Sequence, residues 1–413
     1  MASRAQHPDL PNVPANGVSY FTPSQDPIAG SVTSPPPNDS ALPKLFTPLT
    51  IRGVTFQNRI FVSPMAQYSS GPDGQMTDWH LAHLGGLILR GAGLTILEAT
   101  AVTPNGRGSP EDVGLWDDSQ IESIKRIVDF AHSQGQKIGI QLAHAGRKAT
   151  GVAPWISRRA LATENVGGWP DDVWGPSAIA YSDEMAMPHA MSLAEIEEFK
   201  AAWVTAVKRA VQTGVDVIDI HGGHGYLLSS FNSPVTNRRT DQYGGSFENR
   251  TRLTREIVHL TRQAIPDSMP LFLRLSVTEW LEHEPSFEDS WTVDSTVQLV
   301  PSLASLGVDL LDVSSGGNHP LQRVYAASGY QTPLAQAVKA AIGDKLLVSA
   351  VGLISEGKFA NQLLEEVPAL DAIMVGRTFL KNPGLVWAWA EELGVETRQA
   401  NQIRWIFLGK SKK

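Results

Sequence analysis

From about Leu42 onward the chain alternates short, continuous apolar runs with longer stretches in which apolar positions recur every three to four residues. The runs are RIFVSP (59–64), LTILEA (94–99), KIGIQLAH (137–144), VDVIDIHG (215–222), LFLRLS (271–276), VDLLDVSS (308–315), KLLVSAVG (345–352) and AIMVGR (372–377). Amphipathic stretches follow them at 80–90, 118–134, 192–213, 246–264, 290–306, 331–342, 355–366 and 383–393. Strands alternating with helices predict parallel pairing, and unbroken apolar strands predict burial on both faces. Eight such units predict an α/β protein of the (β/α)8 TIM-barrel type. A doubly wound sheet would carry a GxGxxG turn after its first strand, which SPMAQYSSG does not supply. Gly93, Gly214 and Gly307 stand just before strands, where each can end a helix in a left-handed turn. Ahead of the first run, LFTPLTIRGVTFQN (45–58) predicts a hairpin about Arg52-Gly53 that plugs the N-terminal end of the barrel.

Composition narrows the classes. With no cysteine among 413 residues, disulfides, thiolate metal sites and Cys nucleophiles are excluded. A net charge of −8 favours no nucleic acid, and no stretch is apolar long enough to span a bilayer. The expectation is a cytoplasmic protein with neither a nucleic-acid nor a membrane partner. Residues 1–41 are rich in Pro, Ser, Asn and Gly and predict a solvated, disordered tail, leaving 42–413 for the barrel.

In a barrel of this type the chemistry gathers where strands end. Those ends supply Ser63 with the SPMAQYSS loop, Glu98, Gln141 with His144 and Arg147-Lys148, His221 with His224 and Tyr226, Arg274 with Ser276, Ser314-Ser315, Gly352, and Gly376-Arg377. An arginine inside LFLRLS is costly to bury without an acceptor, so Arg274 points at an anionic ligand or at a carboxylate such as Glu98. The Gly-rich turns AVGLIS and MVGRTF follow strands seven and eight, where barrels commonly hold phosphate on backbone N–H groups, and Arg377 adds a charged donor. HGGHGY (221–226) can aim two histidines at one oxygen, an oxyanion site worth about 3 kcal/mol per donor. The competing metal reading needs a third ligand from His144, Glu98 or Asp219. Tyr226 is protonated at neutral pH and can act as an acid.

From Leu45 to about Trp389 the chain resembles the Old Yellow Enzyme family of FMN-dependent ene-reductases, in particular its thermophilic-like class. The likeness rests on LFTPLTIRGVTFQNRIFVSPM, QLAHAGRKA (141–149), HGGHGYLLSSFNSPVTNRRTDQYGGSFENR (221–250), LFLRLS and VGR (375–377). The resemblance implies that Ser63, Pro64, Met65, Ala66 and Ala99 line the flavin and that Gln141 and Arg274 grip its pyrimidine edge. Gly352, Gly376 and Arg377 would cradle its phosphate, with Lys148 near the ribityl or phosphate region. His221 and His224 would hold the substrate carbonyl, with Tyr226 at the rim and Tyr68 over the flavin. No metal is implied. The activity implied is ping-pong reduction of α,β-unsaturated carbonyl compounds: NADPH or NADH gives hydride to FMN, hydride passes to Cβ, and Tyr226 or water protonates Cα. A biosynthetic tailoring enzyme on the same site is the alternative, followed by a metal-dependent barrel hydrolase.

Three departures from the class pattern bear on this. Ala66 stands where the class has Cys. The stretch 150–191, with Trp155, Trp169 and Trp174, is long enough to form a lid. The end NQIRWIFLGKSKK is atypical, though Arg404 resembles the arginine that reaches a neighbouring subunit's site, which would imply a homodimer or higher homo-oligomer.

Overall fold

The computed structural model describes residues 10–34, 41–158 and 160–407. Eight strands close into one parallel barrel: β1 Ile60–Val62, β2 Leu94–Ala101, β3 Ile138–Ala143, β4 Val217–Gly222, β5 Leu271–Ser276, β6 Leu310–Ser314, β7 Leu347–Ala350 and β8 Ala372–Val375. β8 pairs with β1, and β4 joins β5 through Asp219 opposite Phe272 and His221 opposite Arg274. The main helices outside it are α1 Asp78–Ile88, α2 Ile121–Ser133, α3 Leu193–Thr213, α4 Arg252–Ala264, α5 Val293–Ser305, α6 Thr332–Ile342, α7 Gly357–Glu365 and α8 Leu385–Glu392. All eight apolar runs are strands of this barrel, because a strand covered by helices outside and packed side chains inside has no solvated face to carry polar residues.

Local signals fix the ends of these elements. Ser192 and Glu195 form a reciprocal capping box that starts α3, and Gly214 at φ +87° ends it. Gly307 is left-handed in the same way after α5, at φ +96°. Gly93 is not: Gly91 makes the left-handed turn, and Gly93 is required because a Cβ there would lie 2.2 Å from the Asn58 carbonyl oxygen. The hairpin is present as Leu49–Ile51 against Val54–Phe56, with Arg52 at φ +50° in its turn. Its Leu49, Ile51 and Phe56 pack on Phe61, Phe272 and Met374 at the N-terminal end of the barrel.

The expected solvated tail is divided where it is described: residues 10–20 are mostly exposed, whereas 22–34 dock on the rest of the chain. Val32–Ser34 pairs antiparallel with Glu396–Thr397, and Gln25 donates to Gln402 Oε1 at 2.9 Å and accepts from the Asn401 N–H at 2.8 Å. Composition misleads for 22–34 because that stretch is held largely by hydrogen bonds, to the far end of the chain and to Gln57, Asn58, Gln134 and Gln136. Residues 1–9 and 35–40 of the tail lie outside the described residues.

Candidate functional site

Two cavities adjoin at the C-terminal end of the barrel, and His224 lines both. The first, of about 240 Å³, is walled by Ser63, Pro64 and Met65 after β1, Arg274 on β5, Ser314 on β6, Gly352 and its neighbours after β7, and Gly376 and Arg377 after β8. Gly352 sits at φ +130°, a conformation glycine alone adopts readily, and a Cβ there would come within 2.9 Å of the Gln331 side chain. One end of this cavity is therefore bare backbone beside the exposed Arg377. At the other end lies the buried Arg274 guanidinium.

The acceptor for Arg274 is Asp312, its register partner on β6, and not Glu98. Arg274 Nη2 also donates to Ser63 Oγ at 3.2 Å. Asp312 Oδ1 takes a further hydrogen bond from Ser349 Oγ at 3.3 Å. Next to this pair, Gln141 Nε2 donates to Asp219 Oδ2 at 2.7 Å, while Asp219 Oδ1 is buried without a partner among the described residues. Burial pushes the Asp219 carboxyl up to about 7, against the pull of Arg274. Ala99 is the register partner of Gln141 across the β2–β3 ladder. Ala66, Ala99 and Gln141 lie beside the first cavity's lining rather than within it.

The second cavity, of about 290 Å³, gathers Tyr68, Asp112, Lys148, His221, His224 and Tyr226 under residues of the 150–191 excursion, among them Pro154, Arg158, Tyr181 and Met185. Of the three tryptophans in that excursion, Trp155 meets Tyr68 edge-on at 5.6 Å, Trp169 stacks under Arg107 and Trp174 stacks on His144. Lys148 belongs to this cavity and not to the phosphate end. Its Nζ donates to the carbonyl oxygens of His224 and Gly317, each at 3.0 Å, because the turn Gly146–Lys148 directs it across the mouth of β4.

A backbone donor defines the His221 proton. The Gly223 N–H donates to His221 Nδ1 at 3.2 Å, so a neutral His221 ring carries its proton on Nε2. That nitrogen faces His224 Nδ1 at 3.4 Å, and His224 Nε2 lies 2.7 Å from Ser314 Oγ. Burial, then the neighbouring His224, Arg274 and Lys148, holds His221 well below its ordinary range, and burial with Arg274 and Lys148 nearby holds His224 at about 3. Both rings are thus neutral at physiological pH. Tyr226 stacks on His221 at 4.5 Å, and burial, together with Asp112 and Tyr68, raises its hydroxyl well above the usual phenol range.

The alternative metal ligands are separated. His144 Nδ1 accepts from the Gly146 N–H at 3.0 Å and its ring lies between Trp174 and Phe199. Glu98, the extra residue where the β2–β3 register shifts, accepts from the Gln67 N–H at 2.9 Å and faces His80 Nε2 at 3.5 Å. Burial raises the Glu98 carboxyl to about 8. Among the described residues no three His, Asp or Glu side chains converge on a metal position. Asp312, Asp112 and His80 were outside the sequence-based set. Asp312 could have been found there, since an aspartate inside VDLLDVSS is as anomalous as the arginine inside LFLRLS.

Residues 44–395 match the model of the NADH:flavin oxidoreductase / NADH oxidase family. An NADH:flavin oxidoreductase of Gibberella zeae is 53% identical over 410 residues, which covers 98% of this chain and 97% of that protein. A structure of 2-naphthoyl-CoA reductase with 2-naphthoyl-CoA superimposes with a TM-score of 0.74 at 23% identity over 84% of this chain; the match spans about half (52%) of that longer protein. A morphinone reductase variant in complex with tetrahydroNAD gives a TM-score of 0.68 at 25% identity, over 87% of this chain and 93% of that one.

Proposed function

The chain belongs to the NADH:flavin oxidoreductase / NADH oxidase family, the Old Yellow Enzyme family, and from that premise we propose that it is an FMN-dependent ene-reductase acting on the activated C=C bond of α,β-unsaturated carbonyl compounds, with NADPH as the first hydride donor to test. The observation that carries this reading is the pair of neutral histidines on the wall between the two cavities.

The first cavity suits FMN. Gly352 leaves room where a side chain would intrude, Arg377 adds charge for a phosphate, and Arg274 offers a cation beside the unpartnered Asp219 oxygen. When bound, FMN supplies a hydride acceptor and donor between the nicotinamide and Cβ of the substrate. The protein's own residues do the rest. Ser63, Pro64 and Met65 would line the ring, with Ala66 and Ala99 just behind them, while Asp219 orients the Gln141 amide so that its oxygen is left to accept. His221 Nε2–H and His224 donate to the substrate carbonyl oxygen, and their neutrality fixes them as hydrogen-bond donors rather than acids. Tyr226, kept protonated, gives its proton to Cα. Tyr68 packs against the substrate, and the 150–191 excursion acts as a lid that excludes water.

The purified protein should be yellow, bleach anaerobically with NADPH and recover its colour with 2-cyclohexenone. His224→Ala should lower kcat about 10²-fold or more, equivalent to one oxyanion donor. A colourless protein would sink the reading. A flavoprotein that bleaches but is not reoxidised by enones would point instead to a tailoring enzyme built on the same site.

A further inference from the structure

His224 holds its position in an unfavourable backbone conformation, at φ +58°, which a β-carbon-bearing residue keeps only when its surroundings impose it. Two contacts impose it here. The His224 N–H donates to Ser276 Oγ at 2.8 Å, and that hydroxyl donates to the Gly316 carbonyl at 2.8 Å. On the other side, the His224 and Gly317 carbonyl oxygens converge on Lys148 Nζ, 3.0 Å from each. The loop after β6 lies directly against His224, since a Cβ on Gly317 would come within 2.5 Å of the His224 Cα. Two carbonyl dipoles brought together in this way repel unless a cation sits between them. The Lys148 ammonium also lies 4.6 Å from the Tyr181 ring centroid, which ties the same group to the excursion above.

We propose that Lys148 is the positioning residue of the oxyanion pair: it locks His224 in the left-handed conformation against the loop after β6 and places a positive charge beside both histidines. The groups facing the pair are Arg274 from β5, Lys148 from the loop after β3, Tyr226 stacked on His221, and Tyr68 and Asp112 across the cavity; burial is the main cause that holds both imidazoles low, with His224 acting on His221 and the two cations adding to it. Burial and Arg147 lower Lys148 itself to about 8, so it is charged at neutral pH and below. Burial and Arg274 remain when that charge is lost, so both imidazoles stay neutral, and what Lys148 sets is the placement and hydrogen-bonded state of the His224 ring.

The inference rests on the proposed role of the histidines, but its test does not require turnover. The FMN-loaded enzyme labelled with ¹³C-histidine is titrated by NMR. In the wild type the His221 and His224 signals should stay at neutral-imidazole positions down to pH 5. Lys148→Met should shift the His224 signals within the neutral range without introducing a titration, and lower kcat for cyclohexenone about tenfold with little change in KM. Lys148→Arg, which keeps charge and donors, should restore both readouts. Ser276→Ala removes the other anchor and should shift the same His224 signals, which keeps the idea testable if Lys148→Met does not fold. Superimposable histidine spectra of wild type and Lys148→Met would overturn it, whether or not enones are substrates.

Discussion

The two ends of the barrel are built from the same eight strands and are opposite in character. At the N-terminal end Phe61 packs at 5.0 Å on Phe56 of the hairpin and stacks at 6.4 Å on Phe272, and Leu94, Ile96, Val217 and Leu310 fill the space around them. A few residues further along, the interior carries Gln141, Asp219, Arg274, Asp312 and Ser349. The lower end is held by burial, which is non-directional and tolerant of any shape that fills the volume. The upper end is held by charge-assisted hydrogen bonds, which are strong only when complete. Stability and binding can therefore be perturbed separately in this fold.

The largest separation should come from Asp312→Ala. It strands the buried Arg274 and should cost about 3–5 kcal/mol of stability together with most of the bound FMN, read by chemical denaturation and by the flavin content of the purified protein. Phe61→Ala should cost a similar 3–5 kcal/mol through the cavity it leaves, yet retain full flavin content. If both variants lose FMN equally, the two ends are not independent. Gly352→Ala should be milder, about 1–3 kcal/mol of backbone strain with roughly tenfold weaker FMN binding, measured by flavin fluorescence on the deflavinated protein.

Glu98→Gln should act through pH. The Glu98 carboxyl lies at about 8 in the folded protein against an ordinary 4.5, so the native state holds its proton more tightly. Its contribution is complete below the ordinary value and is lost as pH rises through about 8. The variant should consequently lose fewer degrees of melting temperature between pH 5 and 8 than the wild type does. The smallest effect expected is that of Ala66→Cys, a shift of about 30 mV in the flavin midpoint potential, corresponding to about 1.4 kcal/mol for a two-electron couple. An unchanged potential would remove Ala66 from the determinants of the site.

The eight strands were legible because each is buried on both faces and so reads as an unbroken apolar run. The histidine pair was legible because HGGHGY confines both rings to one strand end. What was hidden depended on register or on distance along the chain. The partner of Arg274 follows only from knowing that β5 aligns Arg274 with Asp312, and Glu98 was the wrong choice because the β2 irregularity turns it toward Gln67 and His80. Lys148 was misplaced because three consecutive polar-turn residues do not reveal which way the turn faces. The docked stretch at 22–34 was missed because its hydrogen-bond partners are scattered along the chain, from Asn58 to Gln136 to Gln402, the last paired with Gln25 across 377 positions.

That last contact has a mechanical side. Val32 faces Thr397 and Ser34 faces Glu396, so the strand early in the chain and the strand late in it leave their shared ladder on the same side. The same stretch is also tied to the barrel: the Gln136 side chain donates to the Ala29 carbonyl and the Asn58 side chain to that of Gly30, so a pull on the early strand would be shared between the late strand and the barrel rather than borne by the ladder alone.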